Sequence, residues 1–246
     1  MDFHSMETSR IQRLYDACES IFLPGKEGLP AVKQIRWLQD LLDDMEPEDV
    51  GIDGSGTREG SPGDDASTPK DQDGLILGHA VKQITYIHIH ECDDFSIGVF
   101  CFPAGAKLPL HDHPHMVVLS KLLYGSVKVK SYDWVTAPKS RTKKSGLAKV
   151  VMDNRVLQAP CKASVLFPAT GGNIHSFTAL TPCAILDVLA PPYSEELERP
   201  STYFSEITIP NLPGFALLEE RGLPDDLRVA CAPYLGPELS LDTEFC

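Results

Sequence analysis

From residue 84 to residue 189 the chain runs as short apolar stretches, each cut off by Gly, Pro or polar residues before it can grow into a helix. The stretches cover 84–90, 95–102, 116–123, 126–132, 150–157, 164–167 and 184–189, and no long helical periodicity lies between them. Short strands with frequent turn signals predict an antiparallel sandwich or barrel. A chain of 246 residues with 42% hydrophobic content has the material for one large β-rich core with extensions.

The flanks read differently. Ile11, Leu14, Tyr15, Cys18, Ile21 and Phe22 recur at helical spacing after Thr8 or Ser9, either of which is a suitable N-cap. Pro24-Gly25 is the expected end of that helix. A second stripe, Ala31, Val32, Ile35, Leu38, Leu41, Leu42 and Met45, has Pro30 suited to its first turn. Both helices are expected to pack on the barrel with their apolar faces. The expected organisation is a helical segment over 1–53, a flexible polar insert over 54–74, the barrel over 75–207, and a Pro-rich acidic segment over 208–246 that wraps it. The insert is too rich in Gly, Ser and Asp to fold alone.

The charge balance removes some functions. Lys and Arg number 22 against 35 Asp and Glu, a formal net charge of -13, and such a surface repels phosphate backbones. No direct nucleic-acid partner is expected. The seven cysteines are scattered, odd in number and free of C-x-x-C pairs, which fits neither a disulfide framework nor a zinc knuckle. The first residues lack a basic segment followed by an apolar core, and no apolar run approaches the ~18 residues of a membrane span. A reducing compartment, no membrane partner and a monomer are the expectations.

The chemistry is concentrated in three histidines. His111 and His113 stand on alternate residues, and alternate side chains of a strand share a face. His175, in Gly171-Gly-Asn-Ile-His, offers a third imidazole from another strand. Three neutral nitrogen ligands suit iron, zinc or copper and leave coordination positions open. A metalloenzyme is expected, with a zinc site that activates water as one alternative.

The framework around these histidines resembles the cupin superfamily. Gly105-x5-His111-x-His113 followed by Gly125 follows its first motif in spacing, and Gly172-x2-His175 resembles part of the second. The resemblance implies a mainly β fold, the cupin double-stranded β-helix or jelly-roll barrel, here with N-terminal helices. Many cupins add a glutamate ligand four or five residues after the second histidine, where this chain has Val117 and Val118; Ala179 stands where a terminal Asn is usual. Without that carboxylate a divalent ion keeps its full charge, which favours an anionic thiolate ligand and so thiol dioxygenation by Fe(II).

Longer segments resemble the plant cysteine oxidases, which share a family with the 2-aminoethanethiol dioxygenases. They are Ile84-Thr-Tyr-Ile-His-Ile-His-Glu-Cys-Asp-Asp-Phe-Ser-Ile-Gly-Val-Phe-Cys, the run from His111 to Trp134, Leu186-Asp-Val-Leu-Ala-Pro-Pro-Tyr, and Asp49-Val-Gly-Ile. The resemblance spans most of the chain from Ile11 to about Gly236 outside the insert. It implies an enzyme that uses Fe(2+) and O2 to convert the N-terminal cysteine of target proteins to the sulfinic acid. The product then enters the N-degron pathway, so the enzyme senses oxygen. Family substrates include ethylene-response transcription factors, which implies nuclear and cytoplasmic residence. The implied iron ligands are His111, His113 and His175. Asp187 and Tyr193 match positions implied in substrate binding or catalysis. Oxidation of a small thiol such as cysteamine or cysteine, and a non-catalytic cupin binding module, remain alternatives.

Three positions depart from relatives. Asp112 stands where some relatives carry Asn, His115 where some carry Gly, and Ser201-Thr-Tyr203 where relatives often carry Cys-x-Tyr, so a role that needs a thiol there, such as a cysteine–tyrosine crosslink, is absent. Pro114 disrupts the strand alternation, and His115 is therefore expected not to be a ligand. His88 and His90 imitate a second His-x-His but lack a third ligand, so structural or surface roles are expected. His4 and His79 fall in stretches expected to be flexible, and Cys183 is expected to be a small buried side chain.

Overall fold

A computed structural model describes residues 8–22, 28–53, 83–136, 144–225 and 227–241. The 54–74 insert, Pro24-Gly25, His4 and His79 lie outside them. Two helices open the described chain, α1 (Arg10–Ile21) and α2 (Val32–Asp43). Ser9 caps α1 by accepting from the Gln12 amide at 3.3 Å. Ala31 is the residue that caps α2, so Pro30 precedes the helix instead of occupying its first turn. Here the Gln34 side chain does the capping work, accepting from the Ala31 amide at 2.9 Å.

Among the described residues twelve strands follow: β1 (Ile84–Glu91), β2 (Ser96–Phe102), β3 (Lys107–His111), β4 (Val117–Tyr124), β5 (Ser126–Trp134), β6 (Ser145–Gln158), β7 (Ser164–Leu166), β8 (Ile174–Ala179), β9 (Cys183–Ala190), β10 (Tyr203–Thr208), β11 (Phe215–Arg221) and β12 (Val229–Ala232). They form a six-stranded sheet in the order β12-β1-β2-β9-β4-β7 and a second sheet, β10-β11-β6-β5-β8-β3, that closes on itself. The closing contact pairs Tyr203 with His111. Apart from the parallel β1–β12 pair, all these pairings are antiparallel. From β2 to β5 and from β6 to β10 successive strands alternate between the two facing sheets, which is the double-stranded β-helix of cupins. The stretch from 208, expected to wrap the barrel, supplies β11 between β10 and β6 and β12 beside β1.

Alternation along the strands sorts residues onto three faces. The outer face of the six-stranded sheet, with Ile87, Val99, Leu119 and Leu186, packs against Leu14, Cys18, Leu38 and Leu42 of the helices. Burying each such leucine contributes roughly 1.5–3 kcal/mol, which is what holds the helices down. The opposite face carries Ile84, Phe102, Leu122 and Ile185 against Leu108, Val127, Val129 and Ala179 of the second sheet. The closed second sheet encloses a separate core of Leu110, Tyr132, Ile174, Phe204 and Leu218. His111 and His175 alternate with Leu110 and Ile174 of that inner core and therefore point between the two sheets. No helix among the described residues is long and apolar enough to cross a membrane.

Candidate metal centre

His111 is the last residue of β3 and pairs directly with His175 on β8. His113 lies beyond the end of β3, so the strand pleat orients only the first imidazole and a turn orients the second. Asn173 fixes that turn. Its side chain accepts from the His113 amide at 3.1 Å and donates to the carbonyls of His113 at 2.8 Å and Phe167 at 3.0 Å. Asp133 on β5 in turn accepts from the amides of Gly172 and Asn173, both at 2.9 Å. Gly172 has φ +83, and a Cβ there would fall 2.6 Å from Ser131 Oγ. Only glycine meets both demands.

The three rings converge, with centroid separations of 4.9 Å for His111–His113, 4.8 Å for His111–His175 and 4.6 Å for His113–His175. Each offers a ring nitrogen within 4.8 Å of the others, and no other trio of His, Cys, Asp or Glu among the described residues converges in this way. Nδ1 of His111 faces the Pro109 carbonyl at 2.8 Å, and Nδ1 of His113 faces the Asn173 carbonyl at 2.8 Å. A carbonyl only accepts, so each Nδ1 carries the proton and Nε2 keeps a lone pair for a metal. Burial holds the three imidazoles neutral: His111 is lowered, His113 is pushed down to about 3, and His175 falls well below its ordinary value with its two neighbours adding to the effect. Neutral, oriented and buried nitrogens are a ligand set that fits a divalent transition metal.

The rest of the site is built around Asp112. Its carboxylate accepts from the Thr202 amide at 2.9 Å and pairs with Lys144 at 3.0 Å, and Lys144 also donates to Thr202 Oγ1 at 2.9 Å. Tyr193 donates to the Asp112 carbonyl at 2.8 Å, and its ring sits 5.8 Å from that of His113. Burial raises the Tyr193 hydroxyl well above its ordinary value, so it stays protonated and acts as a donor. Asp187, on β9, has one carboxylate oxygen buried without a hydrogen-bond partner. Burial pushes its carboxyl up to about 7, against a hydrogen bond from Ser120 that lowers it. A cavity of about 70 Å³ adjoins His175, lined by Ser120, Ser131, Ser164, Met152, Leu166 and Phe177 among others.

Residues 41–239 match the family model PCO_ADO. The chain belongs to the PCO_ADO family. Plant cysteine oxidase 1 of Arabidopsis thaliana is 41% identical, with 93% of this chain and 80% of that protein covered. Plant cysteine oxidase 2 of the same plant is 40% identical over 93% of this chain and 83% of its own length. The 2-aminoethanethiol dioxygenase of Homo sapiens is 26% identical over 91% and 87%. Among solved structures, an RmlC-like cupin from Desulfovibrio desulfuricans matches at 22% identity and a TM-score of 0.28, covering 51% of this chain and 99% of that one.

In this PCO_ADO chain His115 is exposed and has φ 62, which turns it away from the strand geometry of a ligand. The second His-x-His is divided: a register shift falls between His88 and His90, leaving His88 exposed and His90 buried. Cys183 is buried at the start of β9. Sequence reasoning missed Asn173, Asp133 and Lys144. The Gly-Gly-Asn turn before His175 was the available signal for Asn173, whereas Lys144 and Asp112 meet only through the fold.

Proposed function

We propose that this chain is an Fe(II)-dependent thiol dioxygenase that oxidises the N-terminal cysteine of target proteins with O2 to cysteine sulfinic acid. The observation that carries this reading is the set of three buried, neutral imidazoles with no carboxylate among the converging ligands. His111, His113 and His175 would hold the iron through Nε2. Bound there, iron supplies the redox chemistry between thiolate and dioxygen and favours the anionic sulfur because no carboxylate offsets its charge.

The chain's own residues do the rest. Carbonyls of Pro109 and Asn173 fix the tautomers of two ligands. Tyr193, protonated across the working range, keeps the backbone between His111 and His113 in place and presents its ring beside His113. Asp187 sits near half ionisation at neutral pH, the condition in which a carboxyl exchanges protons or receives an ammonium. The two plant cysteine oxidases, similar over nearly the whole chain, support N-terminal cysteine as substrate. On this reading the targets include ethylene-response transcription factors in nucleus and cytoplasm, and sulfinylation feeds the N-degron pathway in oxygen sensing.

The test is an aerobic assay of iron-loaded protein with a peptide beginning in cysteine, read by mass spectrometry beside an anaerobic control. Gain of two oxygen atoms at the terminal cysteine, only with oxygen and a free terminal amine, is the expected result. Oxidation of cysteamine or free cysteine with the peptide untouched would replace the substrate class. No thiol oxidation with iron in the site would leave the binding-module reading.

A further inference from the structure

One row of residues crosses five strands on the barrel-facing side of the six-stranded sheet, from β1 to the edge strand β7. Residues paired on neighbouring antiparallel strands share a face, and the register runs His88–Gly98–Asp187–Ser120–Ser164 through β1, β2, β9, β4 and β7. The adjoining rows are mostly apolar, with Val118, Leu166 and Leu189 on one side and Leu122, Ile185 and Phe100 on the other. A polar row in such a face costs free energy unless its groups are used. Both ends, His88 and Ser164, are exposed, while one oxygen of Asp187 is buried and unpartnered. Tyr86 covers the gap at Gly98, where a Cβ would meet its hydroxyl at 2.3 Å and its ring at 2.5 Å. Ser120 and Ser164 line the cavity that reaches His175, together with the buried Ser131, whose hydroxyl is also unpartnered. About 70 Å³ is room for a few water molecules.

Thiol dioxygenation leaves a proton to be disposed of. In R–SH + O2 → R–SO2⁻ + H⁺ the sulfur loses four electrons, dioxygen takes them, and both oxygen atoms stay in the product. The S–H bond and the O–O bond of dioxygen break, two S–O bonds form, and one proton is set free for each turnover. We propose that the Asp187–Ser120–Ser164 row carries this proton from the metal-centre cavity to solvent, with Ser120 as the positioning residue that holds the Asp187 carboxyl. Asp187 takes the thiol proton and passes it through the Ser120 hydroxyl and cavity water towards Ser164 at the exposed sheet edge. The inference rests on the thiol-dioxygenase reading. The titratable groups facing Asp187 are Tyr86 from β1 and Tyr193 beyond β9, with His88 at the far end of the row. The tyrosine hydroxyls are raised chiefly by burial and stay protonated, and β4 presents Ser120 to the carboxyl.

The experiment is an infrared titration of the metal-free protein, following the protonated-carboxyl band that disappears in Asp187→Asn, in wild type, Ser120→Ala and Ser120→Thr. Loss of the Ser120 hydroxyl is expected to move the Asp187 midpoint to higher pH, and threonine to restore it. With iron and a cysteine-initiated peptide, Ser120→Ala is expected to lower kcat about 10-fold with KM little changed, and to move the pH profile of kcat in the same direction. An unmoved Asp187 midpoint, or an unmoved kcat profile in a well-folded Ser120→Ala, overturns the proposal. The infrared result needs no turnover, so a wild type that oxidises no thiol sinks the functional reading without being mistaken for failure of the Ser120–Asp187 link.

Discussion

His88-Ile-His90 in β1 and His111-Asp-His113 at the end of β3 have the same spacing, and the fold treats them in opposite ways. In β1 a register shift separates the two imidazoles, so His88 faces solvent and His90 turns beneath α1. There His90 lies edge-on to Tyr15 at 4.9 Å and against Phe95 at 5.0 Å, with Nε2 buried and unpartnered. At β3 the strand stops after His111, Asn173 captures the turn, and two carbonyls fix the ring tautomers. The register opposite His111 then delivers His175. What separates a metal centre from a packing histidine is thus the acceptor behind each ring and the third imidazole across the ladder, not the spacing.

The sharpest way to break this contrast is to delete one imidazole from each pair. His113→Ala is expected to weaken iron binding at least about 100-fold, beyond the loss typical of a supporting residue, and to remove measurable turnover. His90→Ala is expected to keep full iron loading while losing roughly 2–4 kcal/mol of stability to the cavity under α1. Metal analysis after dialysis, with product mass, decides it. Turnover with full iron loading in His113→Ala would remove that residue from the ligand set.

Next in size is Asp187→Asn, expected to lower kcat by about 10²–10⁴. Its stability signature has the opposite sign. The folded carboxyl titrates near 7 and an unfolded one near 3.8, so between these values the folded chain binds more protons and stability falls as pH rises. Asparagine removes that loss, so the variant is expected to gain stability relative to wild type at pH 8, on the order of 2–4 kcal/mol, and little at pH 4. Urea melts at the two pH values check the sign. Asn173→Ala should follow, with iron affinity down about 10–100-fold and stability down roughly 2–3 kcal/mol, because it frees the turn that aims His113 and leaves buried backbone groups unsatisfied. Iron titration and a thermal melt read the two losses separately.

These effects also mark where the chain was legible from its residues. The seven apolar runs correspond to β1, β2, β4, β5, β6, β7 and β9, since each carries the alternation or density of a buried strand. The stripes at Ile11 and Ile35 likewise lie on α1 and α2. By contrast β3, with Pro109 inside it, β10, and β11 and β12, in the Pro-rich acidic stretch, carry no such periodicity and are strands because partners exist across the ladder. At the site, the three histidines stood out by spacing and by resemblance to a known family. Their supports did not: Asn173 reaches His113 across 60 residues, and Lys144 reaches Asp112 across 32. Such links are properties of register, which composition and local pattern do not encode.

The smallest expected effect tests the other half of the comparison. If His90 is only a packing ring, His90→Phe should preserve the contacts with Tyr15 and Phe95 and remove a buried nitrogen that has no partner. The expected gain is about 1 kcal/mol at neutral pH, the low end of the cost of an unsatisfied buried polar group. Burial chiefly lowers the proton affinity of His90, with His88 adding to it, so the unfolded chain binds that proton more readily. Wild-type stability therefore carries a loss that grows as pH falls below about 6.5, and phenylalanine should remove that part of it. The advantage of His90→Phe should accordingly be larger at pH 5 than at pH 8, with iron loading unchanged at both. A stability difference that is flat with pH, or a loss of iron, would mean that His90 does more than fill the space between α1 and the sheet.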